Sequence, residues 1–329
     1  SVASSRRFGQ PQIMNIPRRR LTTPAPGHLV IFGGAALVLL YLAILLFASY
    51  DPALLGQLWF LPGIGALAAV IANTSGTGGG VVFVPVFNAL REHGVMTLDP
   101  LRVTAASMAI QSFGMTIGGL RWTDRLLHQP VLAPSSKEAG VRPRDYAMVI
   151  CAVLALALPA MWAMQRLTMV DGHLILLGYK IFSIFLGLAL IITTWTINHN
   201  RPERARLEKV DIAILMLIAI PGGALNALFS VGIGELVALY LFIRHYPVLL
   251  CTGTACVISS VSALVGSVWH IQAGTMPWEI VLLAAPGAVL GAFLARPIAL
   301  WLGARRLKTL DGTWIVLSAV YLIMLNWVR

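Results

Sequence analysis

The sequence predicts an all-α integral membrane protein built as two inverted repeats. Each repeat is a re-entrant broken-helix hairpin followed by three transmembrane helices, and one extra transmembrane helix precedes them. Three observations lead there. Residues AVILMFWYC make up 58% of the 329 positions and charged residues 11%, against roughly 45–50% and about 25% in soluble domains, so there is too little charge to cover a water-facing surface. The apolar residues come in blocks near the roughly 20 residues that cross a bilayer. Two blocks are followed by a glycine-rich break and a segment too short to cross alone.

Taken in order, residues 1–27 are rich in Pro, Ser and Arg and read as a disordered cytoplasmic tail. The block 28–50 is the extra helix, longer than the roughly 7–15 apolar residues of a cleaved signal core. The first repeat, 58–198, holds an arm at 59–75, the break Gly76-Thr77-Gly78-Gly79-Gly80, a short segment at 80–90, and spans at 102–120, 146–165 and 174–197. A linker at 199–210 leads to the second repeat, 211–329. That repeat has an arm at 211–231, the break Gly232-Ile233-Gly234, a short segment at 236–243, and spans at 249–268, 278–303 and 310–328. Glycine exposes backbone and permits sharp turns, so both breaks are expected to interrupt helix at membrane depth. Cys151, Cys251 and Cys256 lie inside apolar segments and read as packing residues with no disulfide framework.

Lysine and arginine in short loops set orientation. If each arm and its short segment return to the same side, eighteen basic residues lie inside and four outside, namely Arg91, Arg102, Arg166 and Arg329. This places the N-terminus and the loops 121–145 and 198–210 in the cytoplasm and the C-terminus outside. The same arrangement inverts the second half relative to the first, and the two breaks recur 156 residues apart. The net charge of +11 then belongs to cytoplasmic loops and needs no nucleic-acid partner.

Inverted repeats with discontinuous helices hold a substrate near the midplane and expose it alternately. Here both short segments begin at the glycine tips, so their N–H groups and positive dipole ends converge on an anion site. The same glycines would also serve close helix packing. Thr104, Ser107 and Gln111 recur on one helical face, as do Thr252 and Ser259 in the second half, offering donors to that site. Singly, each Ser or Thr can instead bond its own helix.

Glu235 stands within an apolar stretch at the mouth of the second short segment, and an intramembrane acid is by default functional. It reads as a proton-coupling group, with a helix cap as the competing role. On the coupling reading, Glu235→Gln keeps exchange and loses the response to a pH gradient. Asp145, Asp211, Glu279 and Asp311 read as residues of loops or helix starts. Lys180 reads as a partner of Glu235 or of the anion, or as an interfacial residue. The seven histidines have no metal spacing, no cofactor is expected, and no nucleophile-plus-base set suggests an enzyme.

With these residues in view, the chain resembles the sulfite exporter TauE/SafE family, also called the toluene sulfonate uptake permease family, over roughly 58–328. Gly76-Thr77-Gly78-Gly79-Gly80-Val81-Val82-Phe83-Val84-Pro85 is similar to its glycine-rich signature. Ala105-Ala106-Ser107, Gly253-Thr254-Ala255 and Gly287-x-x-x-Gly291 are similar to its small-residue motifs, which adds Thr254 to the implied substrate-binding residues. The sequence departs from the family at Glu235, where a glycine is expected, at Leu241, where a proline is, and at Pro159-Ala160, where a glycine pair is. The resemblance implies a secondary transporter of sulfite, sulfonates or related organosulfur anions in a bacterial cytoplasmic (inner) membrane. A non-transporting assembly subunit and an anion channel stay open as alternatives, as does homo-oligomer formation.

Overall fold

The computed structural model describes residues 25–94, 98–129, 139–167, 172–197, 203–302 and 304–327. Most of the N-terminal tail and parts of both predicted cytoplasmic loops lie outside these residues. Among the described residues all regular structure is helical. The elements are α1 (His28–Phe47), α2 (Pro52–Gln57), α3 (Leu61–Ser75), α4 (Gly80–Glu92), α5 (Pro100–Leu127), α6 (Pro143–Arg166), α7 (Gly172–Ile192) running into a π turn at Thr193–Ile197, α8 (Lys209–Phe229), α9 (Ile233–Ile243), α10 (Val248–Gln272), α11 (Trp278–Leu302) and α12 (Ala304–Trp327). Six of the described helices are long and apolar enough to cross a membrane.

Local chemistry explains where these helices start. Asp99 caps α5 by accepting from Arg102 N at 2.7 Å, with Pro100 at the first helical position, and Asp51 with Pro52 does the same for the unanticipated α2. Asp145, Asp211 and Glu279 lie in the first turns of α6, α8 and α11, as the dipole favours. Asp311 does not follow that reading. The basic run at 305–308 is helical, so α12 begins at Ala304 and carries Asp311 two turns into its interior. Similarly α5 runs to Leu127, past the expected loop start at 121, and Arg121 within it donates from Nη1 to the carbonyls of Ala292 and Phe293 at 2.8 and 2.7 Å.

The helices turn large apolar residues outward, as a bilayer solvent requires. Along α7, Leu174, Leu177, Ile181, Phe185, Leu188 and Ile192 form an exposed stripe while Tyr179, Ser183, Leu186 and Leu190 are buried. On α1 only Leu37 is buried, so this helix leans on the bundle from outside. Cys151 likewise faces outward, whereas Cys251 and Cys256 are buried. Inside, α3 packs along α11, α6 along α8, α5 along α10 and α7 along α12. Glycines permit the tightest crossing: a Cβ on Gly287 or Gly291 of α11 would collide with the carbonyl of Pro62 or Ala66 in α3, close approach of the kind that binds helices in membranes.

Candidate functional site

Two helix interruptions form the centre of the molecule. At the end of α3, Gly76 adopts φ +79° and its N–H bonds Ala72 O at 2.9 Å, a left-handed stop that suits glycine. A Cβ there would also lie 3.2 Å from Thr252 Cα. The chain then passes through Thr77 and Gly78 before α4 starts. At the end of α8, Ser230 is left-handed at φ 57° and Gly232 takes φ 141°, a conformation open to glycine alone, and α9 begins at Ile233.

The two tips meet, and one carboxylate joins them. Gly78 N donates to Glu235 Oε1 at 2.7 Å and Gly232 N donates to Glu235 Oε2 at 2.8 Å. Glu235 is 2% exposed, so these bonds lie in a water-poor setting where each counts for more. Beside them Gly79 N donates to Gln111 Oε1 at 3.0 Å, and Gln111 Nε2 donates to Ser230 Oγ at 2.6 Å, Ser230 O at 3.0 Å and Ser107 Oγ at 3.1 Å. Backbone N–H groups from the mouths of α4 and α9 therefore converge on one carboxyl group, and that group is the protein's own side chain. A Cβ on Gly80 would strike Ser230 O, so the tips can abut only without side chains.

On the other side of the first tip Ser75 Oγ lies 2.6 Å from Thr77 Oγ1, which donates to Asp311 Oδ2 at 2.9 Å. One turn further along α12, Trp314 Nε1 donates to Val81 O at 3.3 Å. The first tip is thus held between Glu235 from α9 and Asp311 from α12.

A glycine-rich tip of this kind, in an all-helical apolar bundle, is matched by a family model. The model describes the sulfite exporter TauE/SafE family and matches residues 61–322. The chain belongs to that family. No curated protein and no solved structure matches it. As a TauE/SafE protein it is a multi-pass membrane protein of a transporter family, whose members act on a small anion in a bilayer.

Of the residues expected at the site, this TauE/SafE chain brings Gly76 to Gly80, Ser107, Gln111, Gly232, Gly234 and Glu235 together at the tips. A Cβ on Gly234 would meet Ser259 Oγ of α10, which brings Ser259 alongside as well. Thr252 is buried against Gly76 and its hydroxyl has no partner. Thr104 instead reaches Leu228 O at 2.8 Å, near the end of α8, and Thr254 bonds its own helix at Leu250 O, 2.6 Å. Lys180 is buried in α7.

Ser75, Ser230 and Asp311 were not anticipated. A serine directly before a glycine break gives a weak signal. Asp311 gave none, because its partner Thr77 is 234 residues away in the chain.

Proposed function

We propose that this chain is a secondary transporter of small organosulfur oxyanions, sulfite or sulfonates, across the cytoplasmic membrane, and that the anion binds where the two tips meet. One observation carries the reading. Gly78 N and Gly232 N, at the mouths of two different hairpins, converge on a single carboxylate. A carboxylate stands in for an oxygen edge of a sulfonate or hydrogen sulfite: the same single charge, similar acceptors, the same appetite for backbone N–H groups at helix N-termini. Substrate would take these groups from Glu235, with Gln111, Ser107 and Ser230 completing the surround. Having a backbone donor on each oxygen favours Glu235 as this resident anion over its role as the proton-coupling group.

The helix pairing supports two inverted repeats around that site. Exchanging the halves turns α3 on α11 into α8 on α6 and leaves α5 on α10 and α7 on α12 unchanged, the pattern a pseudo-two-fold axis would generate. The N-terminus is then cytoplasmic, as the basic loops require. Counterflow in proteoliposomes with labelled sulfite and a panel of sulfonates tests the function. Saturable exchange supports it; conductance without counterflow would make the protein a channel, and neither would leave an assembly subunit.

A further inference from the structure

The first tip is flanked by two buried carboxylates whose surroundings differ. Glu235 has a backbone donor on each oxygen. Asp311 is 3% exposed, receives Thr77 Oγ1 on Oδ2, and its Oδ1 has no partner. A bare carboxylate held by hydroxyl groups inside a membrane bundle is among the costliest groups a protein can bury, and it persists when a cation or proton neutralises it. Space decides which. Ser75 Oγ, Thr77 Oγ1 and Asp311 Oδ2 stand 2.6 and 2.9 Å apart in sequence, which is hydrogen-bond spacing. A sodium ion coordinated between them would have to force them apart.

With a proton on Oδ2 the donors fall into one direction. The Asp311 carboxyl donates to Thr77 Oγ1, Thr77 donates to Ser75 Oγ, and Ser75 donates to Ile71 O at 2.8 Å. From this geometry we infer that Asp311 is a proton-binding site that couples proton and anion movement, an inference that rests on the transport reading above. Thr77 precedes Gly78, the donor that substrate would use. An ionised Asp311 would place negative charge beside that donor and expel an anion; the protonated group admits it. The proton arrives from water on one face, forms the Oδ2–H bond, and returns to water on the other after the anion has left.

Among the described side chains, those facing Asp311 offer it no countercharge. From α9, Glu235 is a second negative group within electrostatic reach. From α7, Tyr179 and Lys180 are buried, and past the end of α4 His93 Nε2 lies 3.0 Å from Tyr321 Oη of α12. From α4, Arg91 and Glu92 pair with each other at 2.8 Å at its far end. The described side chains of α3 offer hydroxyls but no charge, Glu279 of α11 is held at the first turn by Asp51 N at 2.8 Å, and Arg306 at the start of α12 is exposed.

Asp311→Asn, a neutral mimic of the protonated acid, tests this in proteoliposomes with labelled methanesulfonate, whose own charge is constant over the working pH range. In the wild type, binding weakens as pH rises and an inward-acid gradient changes uptake. In Asp311→Asn the pH dependence of binding and the gradient-driven component are both lost while counterflow persists. Gradient-driven accumulation in Asp311→Asn equal to wild type overturns the inference, and so does a sodium gradient that drives the wild type where a pH gradient does not. A second readout is independent of transport and of the variant's folding. Infrared spectra of wild-type protein carrying carboxyl-labelled aspartate should contain a buried protonated carboxyl band, and its absence overturns the assignment. Wild-type protein without any counterflow overturns the transport reading itself, and the coupling with it, whether or not that band is present.

Discussion

Replacing Glu235 with glutamine separates a resident anion from a simple helix cap. The carboxylate accepts one backbone N–H on each oxygen, from Gly78 at 2.7 Å and Gly232 at 2.8 Å. The amide offers one oxygen and one NH2 group, so a single backbone N–H keeps an acceptor and the other confronts a donor. A buried donor left without a partner costs about 1–3 kcal/mol, and conversion of the surviving bond from charge-assisted to neutral removes about 1 kcal/mol more. The ligand-free protein should therefore lose roughly 2–4 kcal/mol of stability.

A bound anion changes that sum. It supplies an acceptor to the orphaned N–H and has no resident charge to expel, so the variant should bind substrate more tightly by the orphan's cost. That is about 1–3 kcal/mol, or roughly five- to a hundred-and-fifty-fold in dissociation constant. Titration calorimetry with methanesulfonate on detergent-solubilised protein reads the affinity, and thermal unfolding with and without the anion reads the stability. Glu235→Gln that is folded but binds more weakly than wild type would refute the reasoning, since the carboxylate would then be assisting the substrate rather than standing in its place.

Three further outcomes are expected. Gly79→Val places a side chain where even a Cβ would lie 2.9 Å from the Phe83 ring and 3.0 Å from Gln111 Cγ; at an ordinary helical φ of −63° the variant should fold and lose anion binding, and normal affinity would remove the first tip from the site. Cysteines introduced at Ser135 and Asn200 should react with an impermeant thiol reagent only after the cytoplasmic face is opened; labelling in intact cells would sink the orientation. Between α9 and α10, Tyr246 donates to Asp211 and lies over the start of α8, and burial followed by that bond pushes its phenol up from 10.0 to about 12. A group that keeps its proton longer when folded adds stability below pH 10 and loses it as pH rises through about 12. Thermal unfolding of Tyr246→Phe should accordingly converge on wild type across that range, and a constant difference would refute the assignment.

The two helix interruptions were legible because their signal is local. A glycine cluster between two apolar stretches, the second too short to cross, has few physical solutions in a membrane, and the observed helix ends at Ser75 and Phe229 lie within two residues of the expected ones. The stripe on α5 was legible as a face but not as a function. From Thr104 to Gln111 the helix rises roughly 10 Å, enough for one end to reach the tips at Gly79 and Ser230 while the other bonds Leu228 O and, in its own helix, Pro100 O. Periodicity gives direction around a helix and says nothing of what stands opposite each turn.

Asp311 marks the same limit more sharply. Hydropathy starts its span at 310, which makes an aspartate at 311 a helix-start residue, yet the preceding basic run is helical and carries it inward. Once α12 begins at Ala304, Asp311 falls opposite Thr77, and the first tip acquires a second carboxylate. Glu235 stands out in the sequence as a carboxylate within an apolar stretch, and each of its oxygens accepts a backbone N–H, from Gly78 and Gly232. The acid that reads as ordinary in sequence is the one left with an unpartnered oxygen. Donor count, which appears only when distant segments meet, separates the two acids where sequence position does not.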